Sequence, residues 1–353
     1  MDGGTGPKAR VKHGSVAAGL ALAAALACAG CFEGGEGASL ADLALDSVAT
    51  IGVLEGDSSQ VFGRIGDVEV DAQRRIYVLD SQTPAIRLFD EDGSTLGSVT
   101  ARGEGPGELA GPTALALSTD GELRVMDARN GRIESFRAVD AGFVHVASIR
   151  PEVPGADLCR LGGRWYTQRI TGAVSIHELA DDGALVRSFA PPADISRFVS
   201  GPVGPLIQET FAMGPLACAG EAVVAIATAL PTVRAFAADG GALWEVQLAD
   251  YVPLRAERTG GMGVRSSPVE GTGSHVALGV VPWSADVVLV QLEVRRAEAE
   301  SGGEPEVDSR FLSLATGEEL HRTRALPRIL AVQDDRVYAV RTDPFPQLRI
   351  LRR

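Results

Sequence analysis

Arg255, Arg258 and Arg265 set three cations within eleven residues of one linker. Three guanidinium groups so spaced could fork onto a carboxylate, sulfate or phosphate. Glu257 and Glu270 stand beside them, so the plainer expectation is a solvated loop that pairs its own charges. His275 comes next and is a candidate ligand at the start of an inner strand. The other histidines beyond the leader are His145, His177 and His321, and their positions do not converge with it. One His makes a poor zinc site. Asp67 and Glu69 offer oxygen to calcium near a channel. No cofactor is the leading expectation, with calcium or zinc as the alternative.

Some chemistry is excluded by residue type. Lys8 and Lys12 are the only lysines, and both precede the apolar core of the leader, so Schiff-base and P-loop mechanisms have no lysine to use. There is no Gly-x-Ser-x-Gly elbow and no His-Glu-x-x-His. No catalytic residue is assigned. Asp80 and Asp127 repeat so regularly that they suggest a catalytic pair. An Asp at the end of a strand more often accepts backbone hydrogen bonds from the turn that follows, here Ser81 to Ala85 and Ala128 to Gly131.

That regularity comes from the elements beneath it. Asp80 meets Asp127 and Phe89 meets Phe136 at an offset of 47 residues, and Gly56, Asp57 and Phe62 fall on Gly103, Glu104 and Leu109 at the same offset. A repeat of this length, built from short alternating segments, is the pattern of a β-propeller. Units one and two place strands near 65–70, 75–80, 85–90 and 95–100, then near 113–118, 122–127, 132–137 and 143–149. Unit three covers roughly 157–190 and unit four 215–249. Unit five covers 274–324, with a polar insertion from Arg295 to Asp308. Unit six has strands near 328–333, 336–341 and 347–352 and lacks a fourth. The lone strand Ser47 to Leu54 supplies it, because open edges invite aggregation. The expected fold is all-β, a six-bladed propeller of four-stranded antiparallel blades, with strand 47–54 completing the C-terminal blade.

Residues 1–30 read as a leader, 31–46 as a Gly-rich acidic tether and 47–353 as the propeller. Lys8, Arg10 and Lys12 precede a short apolar core from Val16 to Ala27. The run Leu26-Ala27-Cys28-Ala29-Gly30-Cys31 resembles a bacterial lipobox with Cys31 lipidated. Cleavage after Ala29 by an ordinary signal peptidase is the alternative. Residues 1–30 hold three basic groups against Asp2, a net +2, so removing them takes the net charge from −13 to −15. Such a surface repels nucleic acid and anionic lipid. Export permits a disulfide between Cys159 and Cys218, with two buried thiols as the open alternative.

The segments Ile76-Tyr77-Val78-Leu79-Asp80, Arg87-Leu88-Phe89-Asp90, Gly103-Glu104-Gly105-Pro106-Gly107-Glu108-Leu109 and Val125-Met126-Asp127-Ala128-Arg129-Asn130 resemble the NHL-type six-bladed propellers. The likeness is clear over units one and two and degenerate over the rest. The whole also resembles six-bladed propeller lipoproteins of bacterial envelopes. That resemblance implies either a binding module or a lyase or hydrolase with a metal in the central channel.

Four-stranded blades separate two kinds of connection. Hairpins within a blade, first to second strand and third to fourth, are short. The opposite face collects the blade-to-blade linkers, and Ala190 to Gly214 and Asp250 to Gly273 are long for a compact domain. Any site is therefore expected on that face, with Arg102, Glu104, Arg197, Glu209, Arg255, Arg258, Arg265 and His275 as ligand-binding candidates. The leading expectation is a monomeric, lipid-anchored envelope propeller that binds a protein, peptide or glycan there. The competing one is an exported metal-dependent lyase or hydrolase acting at the channel mouth.

Overall fold

The computed structural model describes residues 40, 43–99, 102–139, 142–196, 205–259, 263–271, 273–296 and 304–353. It is a six-bladed β-propeller, each blade a four-stranded antiparallel sheet. In chain order, β1 (Asp46–Ile51) precedes blade one, which contains β2 (Ile65–Val70), β3 (Ile76–Asp80), β4 (Ala85–Phe89) and β5 (Thr95–Val99). Blade two contains β6 (Pro112–Leu117), β7 (Glu122–Asp127), β8 (Arg132–Val139) and β9 (Gly142–Ile149). Blade three contains β10 (Leu158–Leu161), β11 (Arg164–Thr171), β12 (Val174–Leu179) and β13 (Leu185–Phe189). The helix α1 (Pro205–Ala212) leads into blade four, with β14 (Leu216–Ala219), β15 (Ala222–Ile226), β16 (Thr232–Ala237) and β17 (Ala242–Gln247). A separate two-stranded sheet, β18 (Arg255–Thr259) and β19 (Gly263–Ser267), stands before blade five. That blade contains β20 (Ser274–Pro282), β21 (Val287–Arg295), β22 (Val307–Ser313) and β23 (Glu319–Thr323). β24 (Arg328–Gln333), β25 (Arg336–Arg341) and β26 (Gln347–Arg352) complete the chain.

The last sheet runs β24-β25-β26-β1, so the first strand is the outer strand of the last blade. Ser47 pairs with Leu351 and Ile51 with Leu348. The closing strand is shorter than its expected range of 47–54 because the chain turns away at Gly52, whose φ is +123°. A Cβ there would lie 2.8 Å from the carbonyl oxygen of Pro346, so the exit from the ring suits glycine alone.

The core lies between the blades. Middle strands such as β3 and β15 are buried at every residue, since a sheet covered on both faces has no polar side to show. Outer strands alternate, and β9 and β17 expose every second residue. Each seam has its own apolar cluster. Tyr77, Leu79 and Leu88 of blade one meet Leu115, Val125 and Phe136 of blade two. Ile51, Val340 and Ile350 close against Ile65, Val78 and Phe89 at the seam where the ring ends meet. The inner strands β2, β6, β10, β14, β20 and β24 each adjoin the next around the axis.

Two elements depart from the sequence reading, which left both linkers as loops. The helix α1 buries Ile207, Phe211 and Ala212 in a cluster with Ala193, Ile195, Leu230 and Leu254, so the long-loop end has an apolar core of its own. The β18–β19 hairpin pairs with no blade. Among the described residues, no helix is long and apolar enough to cross a membrane.

Candidate functional site

The repeated aspartates are clips for the blade entrances. Asp80 ends β3, and its carboxylate accepts the N–H groups of Gly63 and Arg64 at 2.9 and 3.0 Å. It also accepts those of Gln82 and Thr83 in the following turn and sits 3.3 Å from Arg87. Asp127 does the same 47 residues later, accepting from Ala110 and Gly111 at 2.8 and 2.9 Å. These carboxylates hold the preceding linker as well as the turn that follows. The Gly103 to Leu109 linker is likewise fastened down. Arg132 donates to the carbonyls of Glu104, Gly105 and Glu108, and Gly107 N–H donates to the buried Glu134. Arg132, His145 and Ser148 also engage Glu134, which balances its burial.

Every inner strand begins at the end where the blade-to-blade linkers arrive, so the first residues of β2, β6, β10, β14, β20 and β24 rim one mouth of the central channel. The channel is a cavity of about 600 Å³ whose wall includes Asp67, Glu69, Asp157 and Arg328. Asp67 and Glu69 are two apart on β2 and share its channel face. Asp67 accepts the N–H of Val68 at 2.8 Å and that of Leu115, on the next blade, at 2.7 Å. Asp157 repeats this arrangement with Leu158 at 2.8 Å and Leu216 of blade four at 2.9 Å. Each carboxylate therefore bridges one blade to the next. Glu69 makes no hydrogen bond or ion pair of this kind among the described residues.

Although their surfaces reach the cavity, these groups are enclosed by the ring on all sides, and loss of bulk water dominates their titration. Burial pushes Asp67 up to about 6 against its two backbone donors and the nearby Arg328. Burial likewise takes Asp157 to about 7, with Asp67 adding like-charge repulsion. Glu69 is raised well above the carboxylate range by burial, then by Asp67 and Asp157. The channel wall thus carries three acids together with the guanidiniums of Arg160 and Arg328. The channel wall also carries the disulfide between Cys159 of β10 and Cys218 of β14, with Cα atoms 5.5 Å apart. Equivalent positions on adjacent blades come this close only because the inner strands converge on the axis.

The sequence candidates do not gather into one pocket. Arg102 and Glu104 are exposed on the fastened linker, and Glu209 lies half-buried on α1. Arg255 and Arg258 belong to β18 and Arg265, exposed, to β19, with Glu257 opposite Arg265 in the register. Arg197 and Cys31 lie outside the described residues. His275 does not stand over the channel as a metal ligand. It is 3% exposed, packed against Tyr251 at 5.3 Å between ring centroids with its Nε2 3.6 Å from Asp308 of β22, and it does not line the channel cavity. Among the described residues no three His, Cys, Asp or Glu side chains lie within reach of a common metal ion. Asp157 and Arg328 went unremarked in the sequence. The signal available was their place at the very start of an inner strand.

The model of the family DUF5128, a 6-bladed beta-propeller, matches residues 39–149, which span the closing strand and the first two blades. No curated protein matches the chain. Its fold is similar to that of an exported protein of Bacteroides fragilis, with 11% identity, a TM-score of 0.54, and 88% of this chain and 94% of that one covered. It is also similar to a DUF4221 family member from Bacteroides vulgatus, with 9% identity, a TM-score of 0.55, and 88% and 97% covered. U3-55K aligns at 13% identity and a TM-score of 0.52, covering 88% of this chain and all 100% of that one. At these identities the likeness is one of fold.

Proposed function

We propose that this chain is an exported binding module that engages a partner through its long-loop face and the acid-bearing channel that opens there. One observation supports this reading above the others. Two elements that no blade needs, α1 and the β18–β19 hairpin, are both carried by linkers on the face where the channel mouth opens. Long connections that serve no structural closure are commonly functional. The three acids of the channel wall, set against Arg160 and Arg328, favour a basic or neutral group from the partner, whether protein, peptide or glycan. The likeness to an exported propeller agrees with the leader, and we read Cys31 as the lipid-bearing residue of an envelope protein with NHL-type repeats.

The sequence itself supplies a clean test. No lysine follows Lys12, so once the α-amine at the start of the chain is blocked an amine-reactive cross-linker attaches to the folded domain where a lysine is introduced. Glu104→Lys and Glu270→Lys place one on the long-loop face, whereas Glu91→Lys and Glu221→Lys place one in the short turns at the other end. Incubated with envelope extract, the first pair is expected to yield a discrete adduct and the second pair none. Equal adducts from both faces would reject the assignment of the face.

A further inference from the structure

Ser274 and His275, the first residues of β20, hold both legs of the added hairpin at once. On the incoming leg, His275 N–H donates to the carbonyl of Val252 at 2.7 Å, and Val252 N–H donates back to His275 Nδ1 at 2.9 Å. Tyr251 donates its hydroxyl to the His275 carbonyl at 2.8 Å. On the outgoing leg, Val269 N–H donates to Ser274 Oγ at 3.0 Å, and the same hydroxyl donates to the carbonyl of Pro253 at 3.0 Å. Among the described residues, the legs are joined through this pair of residues and in the ladder between β18 and β19.

The imidazole can serve in this way in one protonation state only. Because Nδ1 accepts from Val252, the ring proton is on Nε2, and the ring is neutral. Among the described residues Nε2 has no hydrogen-bond partner. The nearest candidate, Asp308 Oδ2, is 3.6 Å away and already receives Arg310 at 3.0 Å and Arg322 at 2.8 Å. Protonation at Nδ1 would set an N–H against the N–H of Val252 and add a cation to a pocket that holds two guanidiniums. The charged or titratable groups facing the ring are Tyr251 from the linker, Asp308 and Arg310 from β22, Arg322 from β23 and Arg324 just beyond it. Burial depresses the His275 pKa, Asp308 opposes this, and the three arginines add to it.

We propose that His275 is a pH-operated latch on the base of the β18–β19 hairpin, closed when the imidazole is neutral and released when it is protonated. Its effect on a partner rests on the long-loop face being the binding face, but the latch itself can be observed without any partner. A group whose folded pKa is depressed contributes order that is complete above its ordinary value and lost as pH falls through the depressed one. Release is expected in the acid range below the ordinary histidine value of about 6.5.

The experiment is amide hydrogen exchange on the full chain, read as protection factors at about pH 7.5 and about pH 5, with β21 as internal reference. The expected result is about a tenfold or greater loss of protection at Val252 and along β18 and β19 in acid, with β21 unchanged. His275→Gln keeps an acceptor for Val252 but cannot take a proton, so its hairpin should stay protected at both pH values. His275→Phe removes the acceptor, and its hairpin should be unprotected at both. An acid response that survives in His275→Gln, or one that takes β21 with it, would overturn the latch. So would a wild-type hairpin whose protection does not change.

Discussion

Asp80 is fully buried and satisfies four backbone N–H groups as well as Arg87, so its removal strands donors and a cation together. Asp80→Ala should cost about 3 kcal/mol in a denaturant titration, and Asp80→Asn less, because the amide still accepts for part of the turn. Asp127 accepts from Ala110, Gly111 and Asn130, but Glu134 stands where the first unit has Arg87, so Asp127→Ala strands donors without a cation and should cost less, about 2 kcal/mol. Asp67 and Asp157 predict a different response. Their folded pKa values are raised to about 6 and about 7, so their contribution to stability is full in acid and is lost as pH rises through that window. Thermal midpoints measured from pH 5 to 8 should therefore fall with pH on their account, and the double variant Asp67→Asn, Asp157→Asn should flatten that fall. A steeper fall in the variant would contradict the assignment. The clip role of Asp80 was legible because the turn after it is written in the sequence. The bridging role of Asp67 was not, because its second donor, Leu115, lies on another blade and only ring closure brings it near.

Elements whose residues alternate were legible from their pattern, and those with another source of stability were not. β3 and β7 could be read from their buried residues and terminal Asp, and β1 from the missing fourth strand of the last blade. The helix α1 is only eight residues long, and what fixes it is burial of Ile207 and Phe211 against segments distant in sequence, information no local window holds. The sequence Arg-Ala-Glu-Arg-Thr in β18 shows no apolar alternation, so the hairpin gave no strand signal. The disulfide was left open at the sequence level because the separation of adjacent inner strands is a property of the closed ring. It joins residues 59 apart on neighbouring blades. The double variant Cys159→Ser, Cys218→Ser should lose about 2–4 kcal/mol relative to the oxidised protein. Reductant should lower the midpoint of the wild type and leave that of the variant where it is.

For the molecule as a whole, closure depends on β1, which contributes Ile51 to the seam between the last blade and the first. A chain beginning at residue 52 should expose the edge of β26 and self-associate, seen as concentration-dependent mass in sedimentation. One end of the ring has short turns, while the other gathers the long linkers, an extra helix, an extra hairpin and the channel opening rimmed by the first residues of the inner strands. The measurement that tests the central claim most directly is the dissociation constant of the cross-linked partner for two variants. In one, residues 256–266 are replaced by a short Gly-Ser turn. In the other, the turn between β16 and β17 is rewritten. The account predicts weakening of about tenfold or more for the first and little change for the second. Equal affinity for the first variant, or loss confined to the second, would contradict it.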